Sequence, residues 1–95
     1  MHAAALRIEL RLRDVRSLKA KRSVLRPVVE GMRRMASLSV AEVGRHDSWQ
    51  RASLGVAVVA PDAAQLERLL ESVRRYLDEQ LEVEVLEMSV GYLEQ

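Results

Sequence analysis

The sequence predicts an α+β fold in which a four-stranded antiparallel sheet, in the order 4-1-3-2, carries two helices on one face. The first segment alternates apolar and charged residues, and two later segments repeat apolar residues at helical spacing. The elements follow one another as β-α-β-β-α-β, which is the ferredoxin-like order. Right-handed crossovers place both helices on the same side of such a sheet. The length of 95 residues fits a single domain, residues 1–95.

The N-terminal third predicts a strand followed by a helix. Residues 6–13 alternate apolar and charged side chains, which is typical of a strand with one solvated face. Ser17 is a suitable N-cap for residues 18–35, where apolar side chains recur every three or four positions. Pro27 lies inside this run and lacks an amide donor, so we expect a kink there or a later start of the helix.

The rest of the chain predicts a hairpin, a second helix and a last strand. Residues 38–44 and 51–60 predict the two strands of the hairpin. Asp62, with Gln65 three residues later, predicts the N-cap of an amphipathic helix of about four turns. The last strand alternates from residue 81 to 90, and its apolar positions shift by one after Val85. Such a shift predicts a β-bulge.

A net charge of +1 conceals opposite charges along the chain. Residues 1–34 carry +7 and residues 61–95 carry −6. Because the first and last strands are neighbours in the predicted sheet, we expect the arginines of the first strand to face Glu82, Glu84 and Glu87. Paired in this way, the strand arginines are weak evidence for nucleic-acid binding.

Five cations without an intervening acid surround the start of the first helix: Arg16, Lys19, Lys21, Arg22 and Arg26. The topology brings this segment and the loop between the second and third strands to the same end of the sheet. Functional groups that converge on loops are the usual form of a binding site. The candidates for binding RNA or another partner are Lys19, Lys21, Arg22, Arg45, Trp49, Gln50 and Arg51. A solvated surface is the alternative interpretation of the same charges.

Trp49 has two interpretations, as a plug at the end of the core and as a stacking surface. We favour the plug, because a large ring near a strand start is ordinarily half buried. His46 and Asp47 lie in the same loop, but no spacing of histidines and acids predicts a metal site. The two central strands carry no aromatic residue, which excludes base stacking as in RNA-recognition domains.

No catalytic constellation is recognisable, and we expect a protein that is not an enzyme and needs no cofactor. The sequence contains no cysteine, no phosphate-binding glycine loop and no nucleophile elbow. It also has no apolar run near the ~20 residues of a membrane span and no signal-peptide pattern, so we expect a cytoplasmic protein without membrane contact.

Small residues on the third strand suggest self-association. Ser53, Gly55, Ala57 and Val59 alternate with the apolar core positions and face away from the predicted helices. Small side chains let another sheet approach closely. The alternative to RNA binding is therefore a homodimeric interaction module whose open sheet face is the interface.

Two stretches of the chain resemble the YlxP-like family of small bacterial proteins of unknown function. The matching positions are Ser17, Leu18, Lys19, Lys21, Arg22, Asp47, Trp49, Gln50 and Arg51. The resemblance covers most of the chain and implies a ferredoxin-like fold. Genes of the family often stand near those for initiation factor 2 and ribosome-binding factor A, which implies a part in ribosome maturation or translation. It implies no catalytic residues, and Pro27 departs from the family pattern.

Overall fold

The computed structural model describes residues 1–35 and 38–94, and its elements follow the predicted order. They are β1 (His2–Leu12), α1 (Leu18–Arg33), β2 (Leu38–Gly44), β3 (Arg51–Ala60), α2 (Ala63–Asp78) and β4 (Val83–Glu94). The strands form one sheet in the order β2-β3-β1-β4, with every neighbouring pair antiparallel. The predicted fold class and strand order are confirmed. The predicted domain limits also include Ala36, Ser37 and Gln95, which lie outside the described residues.

The strand limits differ from the prediction where the alternation is weak. β1 already begins at His2, because Ala3, Ala4 and Ala5 pair with β3 and β4 although they carry no apolar–charged pattern. β4 begins at Val83, and the preceding Leu81 is an exposed turn residue, with 83% of its surface accessible. Backbone pairing with β1 therefore decides these limits, since hydrogen bonds in a sheet do not depend on side-chain type.

The predicted bulge lies in β4. Glu9 pairs with Glu87, whereas the next residue of β1, Leu10, pairs with Val85. Leu86 is left without a partner, and the apolar positions on either side of it both face the helices. A second irregularity, which the alternation did not show, places Val43 of β2 between two regular pairs.

Side-chain oxygens cap both helices as predicted. Ser17 Oγ accepts from the amide of Ala20 at 3.0 Å, and Asp62 Oδ1 accepts from the amide of Gln65 at 2.8 Å. Such caps stabilise a helix by about 1 kcal/mol each. α1 runs unbroken from Leu18 through Pro27, so the predicted later start is wrong.

Pro27 is tolerated because the opposite face of α1 is anchored in the core. Its ring is exposed, while Leu25, Val28 and Met32 are buried against the sheet. Burial of three such side chains contributes about 1.5–3 kcal/mol each. This exceeds the roughly 3 kcal/mol by which proline disfavours a helix interior.

The core lies between the helices and the inner face of the sheet. Its most deeply buried large side chains are Ile8, Leu10, Leu12, Met32, Leu54 and Leu77. The two helices meet at Gly31, where a Cβ atom would overlap Tyr76 Oη. The Tyr76 hydroxyl donates to the carbonyl of Val28 at 2.9 Å, and burial raises the pKa of this hydroxyl. The opposite face of the sheet, called the open face below, is not covered by either helix.

Candidate functional site

Lys21 joins α1 to the loop between β2 and β3, called the hairpin loop below (residues 45–50). Its ammonium Nζ donates to the carbonyl of Arg45 at 2.8 Å and lies 3.2 Å from Glu42 Oε2. The side chain is only 4% exposed. The start of α1 and the hairpin loop are therefore in direct contact, at the end of the sheet where the topology predicted that they would meet.

The burial of Lys21 removes it from the cations that a phosphate could reach. The sequence prediction grouped it with Lys19 and Arg22, but its position belongs to the buried face of α1. Positions 18, 21, 25, 28 and 32 repeat at intervals of three and four, which places Lys21 in line with Leu25 and Val28. This periodicity was the signal that could have identified a structural lysine.

Arg45 has an unusual backbone conformation. Its φ of 62° lies in the left-handed region, which residues other than glycine, asparagine and aspartate rarely adopt. The Arg45 carbonyl accepts from both Lys21 Nζ and the amide of Ser48, the latter at 3.1 Å. Two donors on one carbonyl fix the turn and compensate for the strained conformation.

The Arg45 side chain turns to the open face and joins a network around Glu9. Arg45 Nε lies 3.5 Å and Arg7 Nε 3.1 Å from carboxylate oxygens of Glu9. The Ser53 hydroxyl donates to Glu9 Oε1 at 2.8 Å. This hydroxyl, with the two arginines, holds the pKa of Glu9 below its ordinary value. Arg45 is thus a half-exposed member of an ion network.

The predicted pairing of strand arginines with acids of the last strand holds for one pair. Arg11 Nη2 donates to Glu84 Oε1, whereas Arg7 pairs with Glu9 of its own strand. Among the described residues, Glu82 and Glu87 have no basic nitrogen within 4.0 Å. Glu87 instead lies directly opposite Glu9, which already has two arginine partners.

Arg51 lies on the open face rather than at the tip of the hairpin loop. It stands directly opposite Arg11 in the register of β1 and β3. Its amide donates to Ser48 Oγ at 3.1 Å. Its Nε atom is buried without an acceptor among the described residues. Arg51 therefore retains an unused donor.

Trp49 is exposed, with 51% of its surface accessible, so the preferred interpretation as a core plug is wrong. Leu12, Val15 and Ala52 are the buried residues at this end of the core, each at most 2% exposed. Gln50 is also exposed, although its carbonyl accepts from the Leu12 amide at 2.8 Å. The hairpin loop is fixed at its base and presents Trp49 on its surface.

The outer face of α1 presents a row of cations. Lys19, Arg22 and Arg26 are exposed, and among the residues described by the structure no carboxylate oxygen lies within 4.0 Å of their charged groups. Their spacing of three and four residues puts them on one side of the helix. We call these three residues the basic helix face.

A cleft of about 210 Å³ separates the basic helix face from the edge strand β2. Arg22, Arg26 and Arg33 line it together with Glu30 and Glu42. A smaller cleft of about 90 Å³ continues from Arg22 to His46 in the hairpin loop.

Arg33 protects the edge of the sheet beside this cleft. Its Nη2 and Nε atoms donate to the carbonyl of Val40, at 3.0 and 3.3 Å. Unpaired carbonyls on an edge strand invite pairing with another chain, and a charged side chain over the edge prevents it. The sequence prediction missed Arg33, although it lies seven residues after Arg26 and fourteen after Lys19.

Within residues 1–35 and 38–94, no group of three or more histidine and acidic side chains could hold a metal ion. None of the described helices is long and apolar enough to cross a membrane.

Three solved structures share the fold over nearly the whole chain. The designed protein Foldit4 matches with a TM-score of 0.56 and 15% identity, covering 100% of this chain and 99% of that one. SnoaB, described as a cofactor-independent oxygenase from Streptomyces nogalater, matches with a TM-score of 0.55 and 8% identity over 98% and 92% of the two chains. The structural-genomics protein YJCS matches at 0.54 and 8%, over 94% and 96%. At these identities the likeness shows the fold alone.

Sequence similarity is closer to a protein of Bacillus subtilis (strain 168) described as "Uncharacterized protein YlxP". The two chains are 37% identical over 71 residues, which cover 75% of this chain and 77% of the relative. A family model described as "Protein of unknown function (DUF503)" matches residues 3–90. The model covers both the start of α1 and the hairpin loop, and the chain therefore belongs to this family of unknown function.

Proposed function

We propose that this protein binds RNA through the basic helix face and the hairpin loop, as a non-enzymatic factor associated with the ribosome. The observation that carries the proposal is the contrast between two groups of cations. Arg7, Arg11 and Arg45 on the open face have carboxylate partners. Lys19 and Arg22 do not have one within the described residues, so binding a phosphate would break no existing ion pair.

The dimensions of the basic helix face suit a nucleic-acid backbone. At a rise of about 1.5 Å per residue, Lys19 and Arg26 stand about 10 Å apart along the helix, with Arg22 between them. Three cations in a row contact successive phosphates more readily than they bind one small anion. Phosphate contacts supply affinity without reading sequence.

The hairpin loop adds a surface for an unpaired base. Trp49 is half exposed beside a shallow depression formed by Asp47, Ser48 and Gln50. Stacking of a base on such an indole contributes about 1–3 kcal/mol. RNA loops and single strands expose bases in this way, whereas a duplex does not. Half-exposed Arg45 borders the same loop.

The proposed association with the ribosome is supported by the resemblance to the YlxP-like family. The genes that accompany that family encode translation factors, and ribosomal RNA is the abundant RNA with which such factors associate. This is support by association. The competing interpretation is that the basic helix face is only a solvated surface and binds no partner.

The test is a charge-reversal variant, Lys19→Glu/Arg22→Glu/Arg26→Glu, in co-sedimentation with separated ribosomal subunits and in binding to free ribosomal RNA. Lys21 is excluded because reversal of a buried ammonium would unfold the chain. We expect the wild type to bind one subunit, with log K falling by about 0.7 per phosphate contact for each tenfold rise in salt. The variant loses both the binding and this salt dependence.

The matched control is Arg68→Glu/Arg74→Glu/Arg75→Glu, which makes the same charge change on the exposed side of α2. It keeps its binding if the basic helix face is the contact. An equal loss of binding in both triple variants would show that the effect comes from the net charge of the protein and not from the basic helix face. No association of the wild type with either subunit or with free RNA at low salt would overturn the proposal.

A further inference from the structure

The open face has an apolar half that no part of the described chain covers. It contains two rows of residues that run across the sheet. Gly91, Ala5 and Ala57 are paired side by side in one row, and Leu93, Ala3 and Val59 in the next. Val59 is 53% and Leu93 55% exposed. Both helices pack on the other side of the sheet.

Small residues make this half of the open face flat. The alanines of β1 and β3 rise no further from the sheet than their methyl groups. A flat apolar surface of this kind packs well only against another flat surface.

We propose that a second copy of this chain covers the open face, with the two sheets stacked around a two-fold axis parallel to the strands. This inference goes beyond RNA binding and does not depend on it. In a symmetric dimer the same patch meets itself. An axis across the strands would place the apolar half of one protomer on the charged half of the other. An axis along the strands matches apolar half with apolar half.

The charged half of the open face is complementary to itself under the same axis. The strand order β2-β3-β1-β4 reverses across the axis, so β4 of one protomer lies over β2 of its partner and β3 lies over β1. β4 carries Glu84 and Glu87, near the level of the sheet where Arg45 follows β2. The dimer therefore brings the acids of β4 towards Arg45 at both edges of the interface.

Glu87 on the open face has no ion-pair partner in the described part of the protomer. No basic nitrogen lies within 4.0 Å of its carboxylate there. Under the proposed axis, Arg45 of the second copy lies on the facing sheet near Glu87 and supplies a basic group.

The area of the open face matches that of a stable dimer. Four strands spaced about 4.8 Å apart and about 11 residues long, at about 3.3 Å per residue, give roughly 700 Å² per protomer. A dimer would then bury about 1,400 Å² in total, within the standard range of about 1,200–2,000 Å². The apolar half alone gives about half of this area, so the charged half must take part.

Sedimentation equilibrium of the full chain between about 1 and 200 µM tests the proposal, because this range covers dissociation constants in the micromolar range. We expect a dimer for the wild type and a monomer for Ala57→Glu, which buries a charge in the apolar half of the interface. The control Ala64→Glu, on the exposed side of α2, remains a dimer. A second variant, Val59→Lys, keeps the test valid if Ala57→Glu does not fold.

A wild-type monomer at about 200 µM would overturn the proposal. Dimers of undiminished affinity in both Ala57→Glu and Val59→Lys would overturn it as well, because the interface would then lie elsewhere. Folding of each variant is checked by circular dichroism. Since the basic helix face lies on the other side of the sheet, RNA binding by Ala57→Glu remains measurable, and the two proposals fail separately.

Discussion

Replacement of Lys21 by methionine tests whether the lysine is part of the architecture rather than of a binding surface. Methionine is unbranched and preserves the buried aliphatic stem. The change removes only the ammonium, which donates to the Arg45 carbonyl and lies beside Glu42. Lys19→Met is the matched control, because Lys19 is exposed on the same helix two residues away.

The cost of Lys21→Met follows from the two lost contacts. A hydrogen bond from a charged donor contributes about 1.5–3 kcal/mol. Loss of one partner of a buried ion pair costs about 3–5 kcal/mol. The Glu42 side chain is 29% exposed, and water restores part of that second contribution. The two contributions also overlap, so we expect a loss of about 3 kcal/mol in the free energy of unfolding.

Urea unfolding at neutral pH, followed by circular dichroism, measures this loss. In a thermal scan it corresponds to a decrease in Tm of about 12–24 °C, at about 4–8 °C per kcal/mol for a domain of this size. Lys19→Met should change stability by no more than about 0.5 kcal/mol. A double-mutant cycle with Glu42→Gln isolates the ion pair and should give a coupling energy above about 1 kcal/mol.

A result for Lys21→Met within about 0.5 kcal/mol of Lys19→Met would refute this reasoning. It would mean that the hairpin loop keeps its conformation without the ammonium. It would also return Lys21 to the candidates for partner binding, because a lysine that contributes nothing to stability needs another role.

Three further predictions concern the helix packing, the open face and the hairpin loop. Gly31→Ala should destabilise the protein by about 2 kcal/mol in urea unfolding, since the methyl group displaces Tyr76 and this outweighs the gain of about 1 kcal/mol in helix propensity. Ser53→Ala should raise the pKa of Glu9 and lower the free energy of unfolding at neutral pH. The depressed pKa of Glu9 stabilises the fold only above its ordinary value near 4.5. The difference in stability between variant and wild type therefore shrinks as the pH falls below that value. Trp49 fluorescence in the protein without RNA should be readily quenched by acrylamide.

Each of these has a contrary outcome that would correct the structure. A stabilised Gly31→Ala would mean that the helices are not in contact at Tyr76. A stability difference for Ser53→Ala that is the same at pH 7 and at pH 3 would show that the hydroxyl does not act through Glu9. Trp49 emission that acrylamide cannot quench would place the indole in a covered position, as in a protein–protein contact.

The alternation of β1, the two capping residues and the order of elements sufficed to predict the fold. Ser17 and Asp62 were predictable because a cap satisfies backbone donors within three residues. The bulge at Leu86 was also predictable, since a one-residue shift of the apolar positions has few other causes in a strand. These features depend on interactions local in sequence or on a periodicity that runs along one element.

The candidate site was predicted less well, because its features depend on contacts between distant elements. The loops meet as the topology required, but Lys21 is buried by Glu42 and the Arg45 carbonyl, 21 and 24 residues away. Trp49 lies outside the core, in which Val15 of the preceding loop is buried. The helical periodicity indicates that Lys21 lies on the buried face of α1, but neither its partners nor the exposure of Trp49 is visible in the neighbouring residues alone.

By itself the sequence determined the strands, the helices, their caps and the α+β topology, since these follow from hydrophobic periodicity and local hydrogen bonds. The tertiary structure decided which cations face solvent and which are taken up inside the protein. It divided the basic residues into Lys21 in the interior, Arg45 and Arg51 on the open face, and Lys19 and Arg22 on the exposed side of α1. The physical reason is that the net charge of a segment says nothing about the distance from each cation to its nearest carboxylate, which only the packing of the chain sets.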